Sequence, residues 1–345
     1  MISESLLSLL ERLCNAVAVS GDEGEVRQIV LEEVKTCADE VRVDALGNVL
    51  AVRRARTSDA LRVMLAAHMD EVGFMLVAEE GEGLYRFETV GSVDVRYLVG
   101  KPVWVGKDHL PGVIGARPIH LTTPDERSRK LPLDALRIDL GPSGKVEPGT
   151  RATFATPFRR LGNVVLAKAL DNRLGVATVI ELLRNAPDQI EVQAAFTVQE
   201  EIGLRGARVA AYALQPHIGI AVDSTPAHDL PTLDGRENTV YNTRLGHGPA
   251  IYVADGATFS DPRLVRFLEG VAQKHSIPYQ IRQPGGGGTD AGAIQRVREG
   301  IPVVSVSVPG RYPHTPAALT RLEDWENTLR LLSQALKELT PAVLS

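Results

Sequence analysis

Glu200 and Glu201 stand side by side in Thr197-Val198-Gln199-Glu200-Glu201-Ile202-Gly203, directly after the apolar run 192–196. Two adjacent carboxylates at the end of a buried strand repel each other and lose hydration together, which costs free energy unless a cation is near. A divalent metal is the commonest remedy, with one carboxylate as ligand and its neighbour left for proton transfer. Taken alone, the pair is also what an ordinary solvated strand end looks like. Four further runs change that reading. His68 follows 63–67, Asp171 comes shortly after 164–167, Asp223 closes 218–222, and His314 lies just beyond 303–308. Five strand-like runs therefore deliver a His, Asp or Glu at or past their carboxyl ends, the edge at which open α/β sheets bind ligands.

Two His, two Asp and one Glu, without sulfur, suit zinc, cobalt or manganese at an open catalytic site. Five protein ligands exceed the three typical of one catalytic zinc and suit two ions that share a carboxylate. Two cations acidify a water between them, and a carboxylate outside the ligand set can take its proton. That is hydrolysis of an unreactive bond such as an amide. Serine or cysteine catalysis lacks support, because no Gly-x-Ser-x-Gly elbow occurs and neither Cys14 nor Cys37 has a nucleophile signature.

The elements that must position these groups alternate between strand and helix at both ends of the chain. Ser3 can cap a first helix whose Leu6, Leu9, Leu10, Leu13 and Val17 share one face. A second helix is expected over 25–37, then a hairpin of 41–44 and 49–52 around Leu46-Gly47-Asn48. From 74 to 158 the runs become short and turn-rich, which predicts a small β-barrel or sandwich inserted into an α/β domain. The polar stretch 122–130 reads as a mobile loop. After 158 the alternation returns, with helices expected over 172–183, 204–214, 262–274, 291–297 and 325–339. Asp171 stands at the start of the first of these, where backbone amides favour an anion. The glycine-rich turn 283–290 lacks the Lys-Ser/Thr ending of a phosphate loop and reads as backbone brought close to the active centre.

Composition bounds the rest. The chain has 345 residues, 44% hydrophobic and 23% charged, with a net charge of −5. That balance is ordinary for a soluble globular protein and offers no basic stripe for nucleic acid. No apolar run approaches the roughly 20 residues of a membrane span. The amino terminus carries acids where a signal peptide is basic, so a cytoplasmic location is expected. Two cysteines in helical patterns read as buried free thiols. His109, His217, His228 and His275 look like surface or loop residues, whereas His120 and His247 lie near turns that could approach the site.

The motifs resemble the M42 metallo-aminopeptidases, the tetrahedral TET and glutamyl aminopeptidase group. The resemblance rests on His68-Met69-Asp70-Glu71-Val72-Gly73, Ala169-Leu170-Asp171-Asn172-Arg173-Leu174-Gly175 and Thr197 to Gly206. Val222-Asp223, Gly287-Gly288-Thr289-Asp290-Ala291 and Arg311-Tyr312-Pro313-His314 complete it, in order along nearly the whole chain. It implies that Asp171 bridges two divalent ions, zinc first and cobalt or manganese as alternatives. His68 and Asp223 would complete one site, Glu201 and His314 the other. Glu200 would serve as general base and then acid, and Asp70 would orient His68, a common carboxylate–histidine arrangement. The implied fold is a mixed-sheet α/β/α catalytic domain of residues 1–73 and 159–345, with residues 74–158 as an inserted β-rich, barrel-like dimerisation domain. The implied partners are short peptides with a free amino terminus and further copies of the chain, as dimers built into a tetrahedral dodecamer.

Two departures from the family pattern stand out. Gly91-Ser92-Val93-Asp94 replaces a Gly-Gly pair and an aromatic, a change expected to stay within the insert and leave catalysis alone. Pro313 precedes His314 where an aliphatic residue is usual, which could shift that loop. A glycosidase reading fails because it needs two carboxyls about 5 to 9 Å apart across a sugar bond. Glu200 and Glu201 are neighbours, and the second is spent on metal. An M20-like deacylase or carboxypeptidase remains as an alternative enzyme. A non-catalytic assembly or peptide-binding scaffold is the alternative from another class.

Overall fold

A computed structural model describes residues 2–236 and 243–345. Four apolar runs form the centre of a mixed sheet: Ile190–Thr197, Leu61–His68, Ile218–Pro226 and Val303–Arg311 lie side by side in that order, all parallel. Strands buried on both faces need continuous apolar sequence, and these supply it. Their parallel register aligns their carboxyl ends, with Thr197 opposite His68 and Asp223 opposite Ser307. The sheet reaches eleven strands. The predicted hairpin, Glu40–Val43 with Val49–Arg53, extends one edge. Ala318–Arg321, Val164–Ala167 and Arg159–Leu161 extend the other. A parallel pair, Ala250–Tyr252 and Gln280–Arg282, branches from Val303–Arg311.

Helices cover both faces. Glu4–Asn15, Gly24–Val34, Leu170–Arg184, Pro262–Lys274 and Leu322–Glu338 pack in the larger core, and Arg205–Leu214 with Asp290–Ile294 packs on the opposite face. Ser3 caps the first helix by accepting from Leu6 N at 3.1 Å, as its position predicts. Cys14 is buried and Cys37 half-buried, both as free thiols. Among the described residues no helix is long and apolar enough to cross a membrane.

Between the strand carrying His68 and the helix carrying Asp171, six short strands close a barrel. Gly73–Glu79, Leu84–Val90, Arg137–Asp139, Leu110–Gly115, Pro102–Val105 and Arg151–Phe154 follow one another around it. Its core is separate from that of the sheet and is built on Phe74, which meets Phe87 and Phe154 edge-on with centroids 5.2 Å apart in each case. Of the two architectures the turn-rich sequence allows, closure into a barrel removes the exposed edges that a short-stranded sandwich would retain. The stretch read as a mobile loop differs from expectation. Pro124–Ser128 is a short helix, because Thr123 and Glu126 form a capping box with proline at the first helical position.

Candidate metal centre and active site

The carboxyl ends of the four parallel strands converge on one cavity of about 530 Å³, lined by His68, Asp171, Glu200, Glu201, Asp223 and His314. All six sequence-predicted ligand and base residues are therefore brought together. Asp171 sits between the two histidines. Its Oδ1 lies 3.2 Å from His68 Nε2 and its Oδ2 lies 3.3 Å from His314 Nε2. His68 Nε2 is also 3.5 Å from Asp223 Oδ1, and His314 Nε2 is 3.2 Å from Glu201 Oε2. Glu200 Oε2 stands farther from His68, at 3.9 Å.

Local structure explains how Asp171 reaches this position. Asp171 and Asn172 have non-helical backbone at the head of their helix. Asn172 then caps the regular turns, accepting from Gly175 N at 2.9 Å while its amide donates to Val222 O at 2.8 Å. Gly175 is required by packing, since a Cβ there would lie 2.2 Å from Asn172 Oδ1 and 2.3 Å from Val222 O. The cavity-facing end of the helix is thereby locked to the strand that carries Asp223.

Asp70 occupies a different place from a simple partner of His68. The His68 Nδ1 contact is closest to the Asp70 main-chain oxygen, at 3.1 Å, with the carboxylate at 3.6 Å. The carboxylate itself accepts from Glu200 N at 3.0 Å, Glu201 N at 3.1 Å and Ser20 Oγ at 2.6 Å. It pins the turn on which the paired glutamates sit. Behind it, Glu71 is buried against two cations, Lys168 Nζ at 2.8 Å and Arg173 Nη2 at 3.1 Å. Glu71 also accepts from Ala18 N and from Thr153 Oγ1 of the barrel, and Arg173 donates to the main-chain oxygens of Met69 and Asp70. This brace ties the segment 69–71 to the barrel and to the helix carrying Asp171.

The electrostatics describe a site with more carboxylate than its imidazoles can neutralise. Burial pushes His68 down, but Glu200, Asp171, Asp223 and Asp70 overcome it and hold the ring well above its ordinary value. His314 is likewise raised against its burial, to about 11, by Asp171 and Glu201. Burial lifts Asp171, yet the two histidines bring it far below the carboxylate range. Glu200, Glu201 and Asp223 are all pushed up, foremost by burial, which overcomes the lowering pull of the histidines, with a further push from neighbouring carboxylates. Glu201 Oε1 is buried with no hydrogen-bond partner among the described residues. Donor atoms of His68, Asp171 and Glu201 lie within 4.8 Å of one another, as do those of His68, Glu200 and Asp223. Hard oxygen and imidazole donors, crowded and under-neutralised, fit divalent cations.

The family model for M42 glutamyl aminopeptidases matches residues 47–331. The chain belongs to the M42 peptidase family. The lysyl aminopeptidase of Pyrococcus furiosus is 35% identical, over 96% of this chain and 97% of its own. Among solved structures, the TET aminopeptidase of the marine sediment Thaumarchaeota archaeon SCGC AB-539-E09 is 32% identical, with a TM-score of 0.93 over 99% of this chain and 98% of that one. The TET1 peptidase of Pyrococcus horikoshii, which can assemble into a tetrahedron or a large octahedral shell, is 32% identical, with a TM-score of 0.85 over 97% and 100%. This M42 chain is an aminopeptidase, a peptide hydrolase of a metallopeptidase family.

Several residues of the M42 site carried no role in the sequence reading. The Gly91–Asp94 departure is not confined to the insert, because Ser92 lines the cavity and its carbonyl accepts from His314 Nδ1 at 3.0 Å. A main-chain contact of this kind leaves no mark in residue type. Pro313 does not prevent His314 from meeting both Asp171 and Glu201. Gly286, Gly287 and Gly288 line the cavity, in keeping with the expected close approach of backbone. Asp290, next to that turn, is buried and accepts from Thr197 Oγ1 at 2.5 Å. His120 and His247 are exposed and stay outside the cavity lining. His109 pairs with Glu25, His275 pairs with Glu338, and His217 accepts from Arg62 N. Arg282, a buried cation on the cavity wall, gave no signal beyond its place at the carboxyl end of a short strand.

Proposed function

We propose that this M42 peptidase holds two divalent cations, zinc or alternatively cobalt or manganese, and releases the first residue from peptides with a free amino terminus. The observation that carries the reading is Asp171, whose two oxygens face different imidazoles at 3.2 and 3.3 Å. His68 and Asp223 would complete one site with it, and Glu201 and His314 the other. Bound there, the cations supply Lewis acidity toward the scissile carbonyl and acidify water.

The chain's own residues do the rest. Glu200 lies farthest from His68 of the four carboxylates around that ring, which leaves it free to accept a proton from water and return it to the departing amine. Its upward displacement by burial and by Asp223, Asp290 and Glu201 makes it a stronger base than an ordinary glutamate. Asp70 fixes the Glu200 and Glu201 amides, and Ser92 O orients His314 from the barrel side.

The barrel, outside the catalytic strands and carrying exposed Tyr97, Val99 and Val113, is the proposed dimerisation surface. Assembly of dimers into a tetrahedral dodecamer is proposed for this chain, in keeping with the tetrahedron that the Pyrococcus horikoshii relative can form. Elemental analysis of the wild type and of Asp171→Asn tests the shared ligand. Two ions per wild-type chain and loss of both on substitution are expected. Two tightly held ions in Asp171→Asn would remove the bridging role.

A further inference from the structure

A second groove, of about 480 Å³, opens beside the catalytic cavity, and Gly203 and Leu204 line both. These two residues follow the Glu200–Glu201 turn and lead into the helix Arg205–Leu214. Arg205, Arg208 and Arg296 line the groove, and no Asp or Glu does. All three arginines are exposed. Among the described residues none of them has an ion-pair partner. Arg205 donates to Gln199 Oε1 at 3.4 Å and Arg296 to Ala257 O at 2.8 Å, both neutral acceptors. In a chain with 43 acidic and 38 basic residues, an acid-free groove of arginines runs against composition.

The fold builds this concentration of charge. Ala207, Ala210, Ala211 and Leu214 bury one face of the helix against Ala291 and Ile294. Such small side chains let the two segments approach closely, with Arg208 and Arg296 left at the margins of the groove between them. A spacing of three residues puts Arg205 and Arg208 on one face. Gly292 keeps the floor low, since a Cβ there would lie 2.6 Å from that of Ala257. The first turn of a helix is its positive end, where acids stabilise and arginines add to the potential. This helix has no acid in that turn. Like charges gathered this way repel one another, and a cleft of one sign concentrates counter-ions.

We infer that the groove receives the free carboxyl terminus of a short peptide whose amino terminus lies at the cluster of His68, Asp171 and His314. The inference rests on the aminopeptidase reading above and concerns the departing side of the substrate. An exopeptidase that removes residue after residue meets changing side chains beyond the first bond. The terminal carboxylate is the one anion that every such peptide carries there. A guanidinium offers a carboxylate two parallel N–H donors, and the exposed forks of Arg208 and Arg296 are accessible to it. The shared wall of Gly203 and Leu204 makes the groove adjoin the cavity, so an extended chain can occupy both. Capture at this distance from the reacting bond acts on KM, and amidated peptides remain substrates.

The test uses full-length, metal-loaded protein and peptides that begin with whichever of Leu, Glu and Lys the wild type releases fastest. One to five alanines follow, and each peptide is offered as the free acid and as the carboxyl amide. Wild type is compared with Arg208→Gln/Arg296→Gln and Arg208→Glu/Arg296→Glu, with masses followed by light scattering. An exposed ion pair is worth up to about fivefold, so two predict an acid-over-amide advantage in kcat/KM of about five- to twentyfold. That advantage should lie in KM, peak at one peptide length and shrink as salt is raised. It should fall to near unity in the glutamine pair and invert in the glutamate pair. A wild-type ratio near unity at every length, or one equal at every length, overturns the inference. So does a ratio that both variants preserve, the mark of arginines that are merely structural. A changed mass in the variants beside a wild-type ratio of unity assigns the groove to contacts between copies, which also overturns it. If no peptide is cleaved, the aminopeptidase reading fails. The groove then stands on calorimetry, through tighter binding of tetra-alanine than of its amide that the glutamine pair abolishes, and equal binding overturns it.

Discussion

Replacing Asp70 by Asn separates two roles that the geometry keeps distinct. The carboxylate serves three donors, Glu200 N and Glu201 N with one on each oxygen, and Ser20 Oγ. An asparagine has one oxygen, so its NH2 must face one of the two glutamate amides whichever way it turns. Ser20 can rotate its hydroxyl to accept instead, but a main-chain N–H cannot. One hydrogen bond to a charged acceptor is lost and a donor is left facing another donor, at about 1.5–3 kcal/mol. The turn carrying Glu200 must shift to relieve it, and a misplacement of about 1 Å costs on the order of 10²-fold in turnover. Metal affinity should also fall, by about 10- to 100-fold, as for other groups that hold ligands from behind. The assay is kcat measured while metal is raised to saturation. A plateau near 100-fold below wild type is expected, because saturating metal restores the ligands but not the glutamate backbone. Recovery to within about threefold of wild type would refute this reasoning and confine Asp70 to supporting His68.

Two further substitutions follow. Glu71→Gln strands Lys168 and Arg173 inside the protein, and losing one partner of a buried cluster costs about 3–5 kcal/mol, measured by the denaturation midpoint. Burial raises the Glu71 carboxyl, but Lys168 and then Arg173 bring it below its ordinary value. Its contribution is therefore complete above the ordinary glutamate range and disappears as pH falls through the depressed value, so the two proteins should converge in acid. Glu200→Gln should retain metal and fold yet lose about 10²- to 10⁴-fold in turnover, the range for a missing general base. Near-normal turnover with full metal content would assign the proton transfer elsewhere.

The convergence of the proposed ligands was legible because each lies at or shortly past an apolar run long enough to be a buried strand, as with His68 after 63–67 and Asp223 after 218–222. Period and burial place such runs, and parallel pairing then gathers their carboxyl ends. The barrel was legible only as short turn-rich strands, since its closure depends on pairings between distant segments such as Gly73–Glu79 with Arg151–Phe154. Ser92 escaped notice because it acts through its carbonyl, which every residue possesses. Arg282 lies in a three-residue strand with no apolar run, so nothing in the sequence distinguished it from a surface arginine. The 122–130 stretch carried its own signal in Thr123-Pro124-Asp125-Glu126, and local capping chemistry outweighed its polarity.

The account stands on the claim that a metal-loaded site works from a free amino terminus. The direct measurement is a time course of products from one peptide sequence offered with a free, an acetylated and a carboxyl-amidated end. Stepwise release of first residues from the free-amine and amidated forms, with the acetylated form left intact, is the expected result. Efficient cleavage of the acetylated peptide, or release beginning at the carboxyl end, would contradict it.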